Sequence, residues 1–274
     1  MIFNWINHPA FRRDEQLLAV LYELGMATRK QISVISGWTE EQIEWSIKRI
    51  RKWGKTKEER DEWIKCHRLP LKYNRIGVFT LGRRGIQYVA DMMNQKPRRK
   101  EAAKGQIFHY LGLNNILCRL LEAGAERSEI TWLSTLEALD FLGFLYESKG
   151  IEFNPANSIR PDARLKIGGR YFWIEFDNDT EGPRQLEKKF HEYTTTLVQL
   201  DQLIDSAPIV WVTLSLARRD YLEKLWIATR RRFDRFPQME FFVQGDETDF
   251  LLSENSFLAQ KQSENHSKTT LSAL

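Results

Sequence analysis

Between Pro161 and Asn178 the chain reads as two alternating runs, PDARLKI and RYFWIEFDN, joined by Gly168-Gly169. Two glycines between alternating runs specify a two-residue β-hairpin, because both turn positions favour positive φ. Such a turn pairs Ile167 with Arg170 and, counting back, Asp162 with Glu175. Ala163, Leu165, Ile167, Phe172, Ile174 and Phe176 then form one apolar face. Asp162, Glu175 and Asp177 share the other. A one-residue slip would bury the charges, so the core fixes the register. Directly opposed residues have Cβ atoms about 4.5–5.5 Å apart, and like charges there repel. A cation between them removes the conflict, and a divalent metal is the simplest candidate. Tyr171 and Trp173 lie on the acidic face too, which argues that something packs over it.

The chain has 274 residues, enough for one large domain or two smaller ones. Its 12% aromatic content, with nine Trp, supports a packed core rather than disorder. No apolar run is long enough for a membrane span, and the N-terminus lacks the basic-then-apolar order of a signal peptide. Cys66 and Cys118 are far apart and form no CxxC, which disfavours a disulfide framework or zinc ribbon and fits a reducing cytoplasm. The net charge of +4 conceals an asymmetry. Residues 1–104 carry 22 Lys and Arg against 12 Asp and Glu, whereas the remainder carries 19 against 25. A basic module for a polyanion followed by an acidic module able to recruit metal is the expectation.

The basic part (1–95) has the order of a winged helix-turn-helix. A helix over Asp14–Leu24 precedes a second over Arg29–Ser36, N-capped by Thr28 and stopped by Gly37. Thr39 then starts a third, with Gln42 at capping-box spacing. Ile43, Ile47 and Ile50 make its buried stripe; Glu41, Trp45, Lys48, Arg49 and Lys52 face outward, with Gln42 on the flank. Residues at the N-terminal end of such a helix reach base edges in the major groove, and basic ones contact phosphate. Candidate DNA contacts are therefore Thr39, Gln42, Trp45, Lys48, Arg49 and Lys52. A charged insertion over Lys55–Leu69 reads as helical. A wing hairpin from Lys72–Asn74 and Gly77–Leu81 follows, with Arg75 near its tip, adding Lys72 and Arg75 to the candidates. Gly82–Met93 closes the module. Three-helix winged units also dock proteins, and the basic surface alone would serve solubility; the charge balance favours double-stranded DNA. Residues 96–104 (KPRRKEAAK) read as a basic linker.

In the second part (105–252) a helix over Gln106–Ala123 has Phe108, Leu111, Ile116, Leu117, Leu120 and Leu121 on its apolar face. Thr131–Tyr146 reads as mainly helical and carries Glu137. After the hairpin comes a helix over Pro183–Leu200 with Leu186, Phe190, Tyr193, Leu197 and Leu200 in one stripe. PIVWVTLS (Pro208–Ser215) is a strand buried on both faces. A basic helix over Ala217–Phe233 and a strand over Met239–Gln244 complete an α/β sandwich with a mixed central sheet. Residues 253–274 are polar and featureless, and a disordered tail is expected there.

The order Pro161-Asp162, then Glu175-Phe176-Asp177, then a helix with Lys resembles the PD-(D/E)xK nuclease superfamily. More closely, a winged helix, a helix with His109 and Asn114, "PDARL", "WIEFDNDTEG" and "LEKKFHEY" resemble the replication-relaxation family of plasmids and mobile elements, which is related to a class of conjugative relaxases. The resemblance covers most of residues 12–225. The superfamily's Lys follows its Glu by two residues, where this chain has Asp177. Some members take the Lys from the next helix, which here offers Lys188 and Lys189. Lys189 lies at the edge of the buried stripe and can lean over the sheet; Lys188 faces solvent.

The resemblance implies metal-dependent phosphodiester hydrolysis or transfer, with Mg²⁺ or Mn²⁺ held by Asp162 and Glu175. Asp177 is a further ligand or orients the Lys, Lys189 stabilises the anionic transition state or positions the attacking water, and Glu137 is either an extra ligand or a surface glutamate. The expected activity is nicking or cleavage of plasmid or mobile-element DNA in replication or mobilisation, alongside replication or relaxosome proteins. The alternative, prompted by the missing ExK, is a non-catalytic DNA-binding accessory or regulator on a degenerate nuclease fold. The five His include no HxH pair, disfavouring a histidine-metal relaxase, and Tyr193 lies in an apolar stripe rather than in a nucleophile's setting. No glycine-rich phosphate loop is present.

Overall fold

The computed structural model describes residues 1–70, 75–155, 158–200 and 207–253. The first part begins with α1 (Arg13–Leu24), the short strand β1 (Met26–Thr28), α2 (Arg29–Ser36) and α3 (Glu40–Arg51). Thr28 and Thr39 cap α2 and α3 as their sequences dictate, each accepting from the backbone N–H of a Gln three residues on. Gly37 ends α2 in the left-handed conformation. Ile43, Ile47 and Ile50 are buried against this helical layer.

The insertion departs from expectation. Only Lys57–Trp63 (α4) is helical, and Ile64–Pro70 forms strand β2. From Ile64 the chain pairs antiparallel with β3 (Arg75–Leu81), Ile64 opposite Leu81 and Pro70 opposite Arg75. Burial of Ile64 beside Leu81 gives the strand a core contact that a charged helix would lack. The hairpin is thus longer than expected and its first strand lies upstream of Lys72, which falls outside the described residues. Arg75 starts β3 at the end of the hairpin, near its tip as expected. Strand β1 adds to the other side of β3, and α5 (Arg83–Met92) follows.

The second part opens with α6 (Ile107–Glu122), which packs on both α2 and the large sheet. Phe108 was expected on its buried face but is 65% exposed, standing outside both contacts. The stretch expected to be mainly helical from Thr131 starts as strand β4 (Thr131–Ser134) and only then becomes α7 (Thr135–Ser148). Ser134 N–H donates to Glu137 at 3.0 Å, a capping interaction that sets the strand-to-helix boundary. Next come β5 (Ala163–Ile167), β6 (Arg170–Asp177), α8 (Pro183–Gln199), β7 (Ile209–Thr213), α9 (Leu216–Arg230), β8 (Met239–Val243) and α10 (Glu247–Leu252). The expected tail, 254–274, lies outside the described residues.

These strands form one mixed sheet in the order β4-β5-β6-β7-β8. The first three run antiparallel; β6, β7 and β8 are parallel, joined by crossover helices α8 and α9. The expected hairpin register is present: Ile167 faces Arg170 and Ala163 faces Ile174. Gly168 and Gly169 both have positive φ, 54° and 78°, as the tight turn requires. One sheet face packs Leu165, Phe172, Ile174 and Phe176 against α6 and the first part's helices. The other packs Trp173 and Trp211 against α7, α8 and α9 through Leu142, Leu186, Phe190 and Trp226. The acidic groups lie at the end of this second layer. Among the described residues, no helix is long and apolar enough to cross a membrane.

Candidate active site

Backbone pairing of the hairpin stops at Ala163 and Ile174, and the next position sets Asp162 opposite Glu175. There the Asp162 side chain takes over the ladder: its Oδ2 accepts from Phe176 N–H at 2.8 Å. Thr135 at the start of α7 donates to the Asp162 carbonyl at 2.9 Å, fixing the backbone on the other side. Asp162 Oδ1 lies 3.1 Å from His109 Nε2 on α6. Glu175, in the middle of the sheet, is wholly buried. Lys189 Nζ lies 2.6 Å from its Oε2, and Tyr193 donates its hydroxyl to Oε1.

α8 delivers both partners because its apolar stripe lies on the sheet: Leu186, Phe190, Tyr193 and Leu197 are buried, with Lys189 at the stripe's edge. Gly182 and Pro183 start this helix, Pro occupying a first-turn position where no N–H is needed. Lys188 points away, its side chain 76% exposed and 3.6 Å from Glu192. Of the two lysines, Lys189 alone meets the carboxylates.

Two carboxylates in one site are thereby driven apart. Burial pushes Glu175 up to about 8, with Asp162 adding to the effect and Lys189 and Tyr193 opposing it. Burial also works to raise Asp162, yet the His109 imidazole, Lys189 and the Phe176 amide together hold it below its ordinary value. Burial tends to lower His109, but Asp162 outweighs it and raises the imidazole. Lys189 is likewise held protonated by Glu175 and Asp162 against the effect of burial. Separation of two titrating groups by their environments is how a site obtains an acid and a base at one pH.

Asp177 is placed differently. Arg218 of α9 holds both its oxygens, at 2.6 and 3.1 Å, and also donates to the Glu181 carbonyl at 2.8 Å. Asp177 therefore anchors the loop between β6 and α8, while still lining a cavity of about 420 Å³ with His109, Phe176, Glu181 and Lys189. Glu137 receives Ser134 N–H and contacts the Met1 amino group; it sits beside Glu23 rather than with Asp162 and Glu175. His109 is marked by the family resemblance without a role, and the structure gives it Asp162 as partner. Arg218 carries no signal in the sequence, because a helix with several arginines does not show which one turns inward.

Asp162 and His109 also line a second cavity of about 540 Å³, walled by Arg98, Arg99, Lys100 and Arg160. His109 thus stands between two openings, one basic and one holding Lys189. Asp162 and Glu175 supply oxygen donors only, the set a hard divalent cation prefers. Among the described residues, no group of three or more His, Cys, Asp and Glu side chains is arranged to hold a metal.

On α3, Trp45 is 57% exposed, with Lys48 Nζ 5.6 Å from its ring centre. Lys48 also lies 3.3 Å from Glu44, and Lys52 is exposed at the helix end. Arg49 instead folds back onto Asp14 of α1 at 2.6 Å, joining the two helices. Thr39 and Gln42 use their side chains to cap α3. The Arg75 side chain and all of Lys72 lie outside the described residues.

No curated protein matches the chain, and no solved structure does. The replication-relaxation family matches residues 18–202, a span from α1 through the hairpin and past α8, and the chain belongs to that family.

Proposed function

We propose that this protein binds plasmid or mobile-element DNA through a winged helix built on α3 and the β2–β3 hairpin, and cuts one or both strands at a PD-(D/E)xK-like site. The observation that carries this reading is the meeting of Asp162 and Glu175 on neighbouring strands with Lys189 from the following helix. Asp162 and Glu175 would hold Mg²⁺ or Mn²⁺. Such an ion, when bound, supplies Lewis-acid polarisation of the scissile phosphate and a more acidic bound water. Lys189 stabilises negative charge developing on the phosphate. His109 orients Asp162, and Tyr193 orients Glu175. Asp177 acts through Arg218 to hold the loop that leads into α8. Family membership supports a role in replication or relaxation of such elements, with replication or relaxosome proteins as partners.

A second reading has its own support. The oxygens of both carboxylates already meet protein partners: His109 and the Phe176 amide for Asp162, Lys189 and Tyr193 for Glu175. A site closed in this way suits a non-catalytic DNA-binding accessory or regulator. Supercoiled plasmid carrying the native element, incubated with Mg²⁺, Mn²⁺ or EDTA, separates the two. Metal-dependent relaxed or linear product, lost in Asp162→Ala/Glu175→Ala, establishes the nuclease. Retained duplex binding without cleavage under any metal establishes the accessory.

A further inference from the structure

The acidic face of the hairpin does not end at its carboxylates. Moving toward the turn, the pairs on this face are Arg164 with Trp173 and then Lys166 with Tyr171. Successive same-face positions on a strand are about 6.6–6.8 Å apart. Each pair sets a cation against an aromatic ring. The Arg164 guanidinium carbon is 3.7 Å from the Phe141 ring centre on α7, 4.4 Å from Tyr171 and 5.5 Å from Trp173. Lys166 Nζ is 5.4 Å from the Tyr171 ring centre.

Arg218 and Arg119, also partly buried, pair with Asp177 and Glu247. Among the described residues no carboxylate pairs with Arg164 or Lys166, and the buried Nε of Arg164 has no acceptor. Burial lowers the Arg164 pKa to about 10, which still leaves a cation at neutral pH. A guanidinium removed from water without an anion is costly, and three aromatic rings offset only part of that cost. The rings continue outward: Tyr171 is 40% exposed and Phe144, 6.3 Å from Phe141, is 63% exposed.

We propose that the outer part of this cation–aromatic ladder, beside the carboxylate site, is a docking track for a single DNA strand, with Arg164 and Lys166 on backbone phosphates and Tyr171 stacking on a base. The inference rests on the DNA-processing reading above and adds the form of the substrate. An unpaired strand is favoured because stacking on an exposed ring needs a free base face, which a duplex conceals. Phosphates supply the anion that Arg164 lacks.

The test uses the full chain in EDTA, so that binding is read without cleavage. Anisotropy of a labelled oligothymidylate of about 20 nucleotides is compared with that of a duplex of equal length, over a salt series. Tyr171→Ser should weaken single-strand binding about 5- to 100-fold. Lys166→Gln should lower its salt slope by about 0.7, and Arg164→Gln should do both. All three should leave duplex affinity within about twofold, since α3 carries that contact. Lys166 and Tyr171 reach the surface, so their variants keep the test valid if Arg164→Gln does not fold. Tight single-strand binding unchanged by Tyr171→Ser and Lys166→Gln overturns the track while leaving the DNA reading intact. Duplex binding without any single-strand binding also overturns it. Failure to bind either nucleic acid removes the DNA reading itself.

Discussion

His109 Nε2 and Asp162 Oδ1 lie 3.1 Å apart, tying α6 to the first strand of the hairpin. Burial alone would lower the imidazole, and Asp162 reverses that. The His109 ring should therefore titrate above its ordinary 6.5 by NMR, and its midpoint should fall in Asp162→Asn. The stability consequence has a defined sign. A raised imidazole contributes fully below 6.5, and the contribution is lost as pH rises through the folded value. A lowered carboxylate contributes above 3.8 and is lost as pH falls through its own folded value. The melting difference between wild type and Asp162→Asn should thus be largest between pH 3.8 and 6.5 and shrink as pH rises through the folded value of His109. A difference independent of pH would show that the pair is not ionic.

Lys189 and Lys188 are adjacent in sequence and opposite in setting. Lys189→Met should reduce cleavage about 10²- to 10³-fold, the usual loss for a group stabilising a developing anion. Lys188→Met should stay within about twofold, because its partner Glu192 is on the surface. Equal losses in plasmid cleavage would contradict the assignment of Lys189 to the site.

Glu175 contributes to the pH dependence of stability in the absence of metal. Its folded pKa is raised from 4.5 to about 8, so the folded state keeps a proton that the unfolded chain has released. This contribution is full below 4.5 and is lost as pH rises to about 8. Glu175→Gln mimics the protonated form throughout. Melting in EDTA should show a weaker decline across this window for the variant than for wild type. Parallel curves would place the titration elsewhere.

The hairpin was legible because two local signals agreed: glycines that fix the turn and alternation that fixes the face. Capping pairs located α2 and α3 for the same reason. The β2 strand was hidden because charged residues cover α4 and continue into Lys65 and Arg68, while the pairing that makes a strand comes from β3. β4 was missed through a signal that was present, the Ser134–Glu137 capping spacing, which marks where α7 starts. Within the site, Lys189 followed from helical phase, whereas His109 and Arg218 are fixed by tertiary packing that no local pattern encodes. Phe176 illustrates the difference. Alternation put its side chain in the core, but nothing local showed its amide serving Asp162.

Gly112 lets α6 approach the sheet closely enough for His109 to reach Asp162. A Cβ at Gly112 would overlap the Phe176 ring, which itself lies 6.0 Å from the His109 ring. Gly112→Ala should destabilise the protein by about 1–3 kcal/mol through overpacking and lower cleavage by displacing His109. Gly105→Ala, with nothing near its added methyl, is the matched control. Chemical denaturation that treats the two alike would mean that α6 and Phe176 move apart at little cost.

Duplex binding should reside in α3 and be separable from the carboxylates. Trp45, Lys48 and Lys52 present their side chains outward, while Arg49 is held by Asp14. A lysine on a phosphate loses about one counterion's worth of salt dependence when removed. Lys48→Gln and Lys52→Gln should each reduce the slope of log affinity against log salt by about 0.9, with melting unchanged. Arg49→Gln should act mainly on stability, because it frees Asp14 and loosens α1 from α3. Asp162→Ala should leave the duplex salt slope as in wild type. If removing Lys48 and Lys52 leaves the slope intact, the duplex is read by another surface, and the basic cavity formed by Arg98, Arg99, Lys100 and Arg160 becomes the next place to substitute.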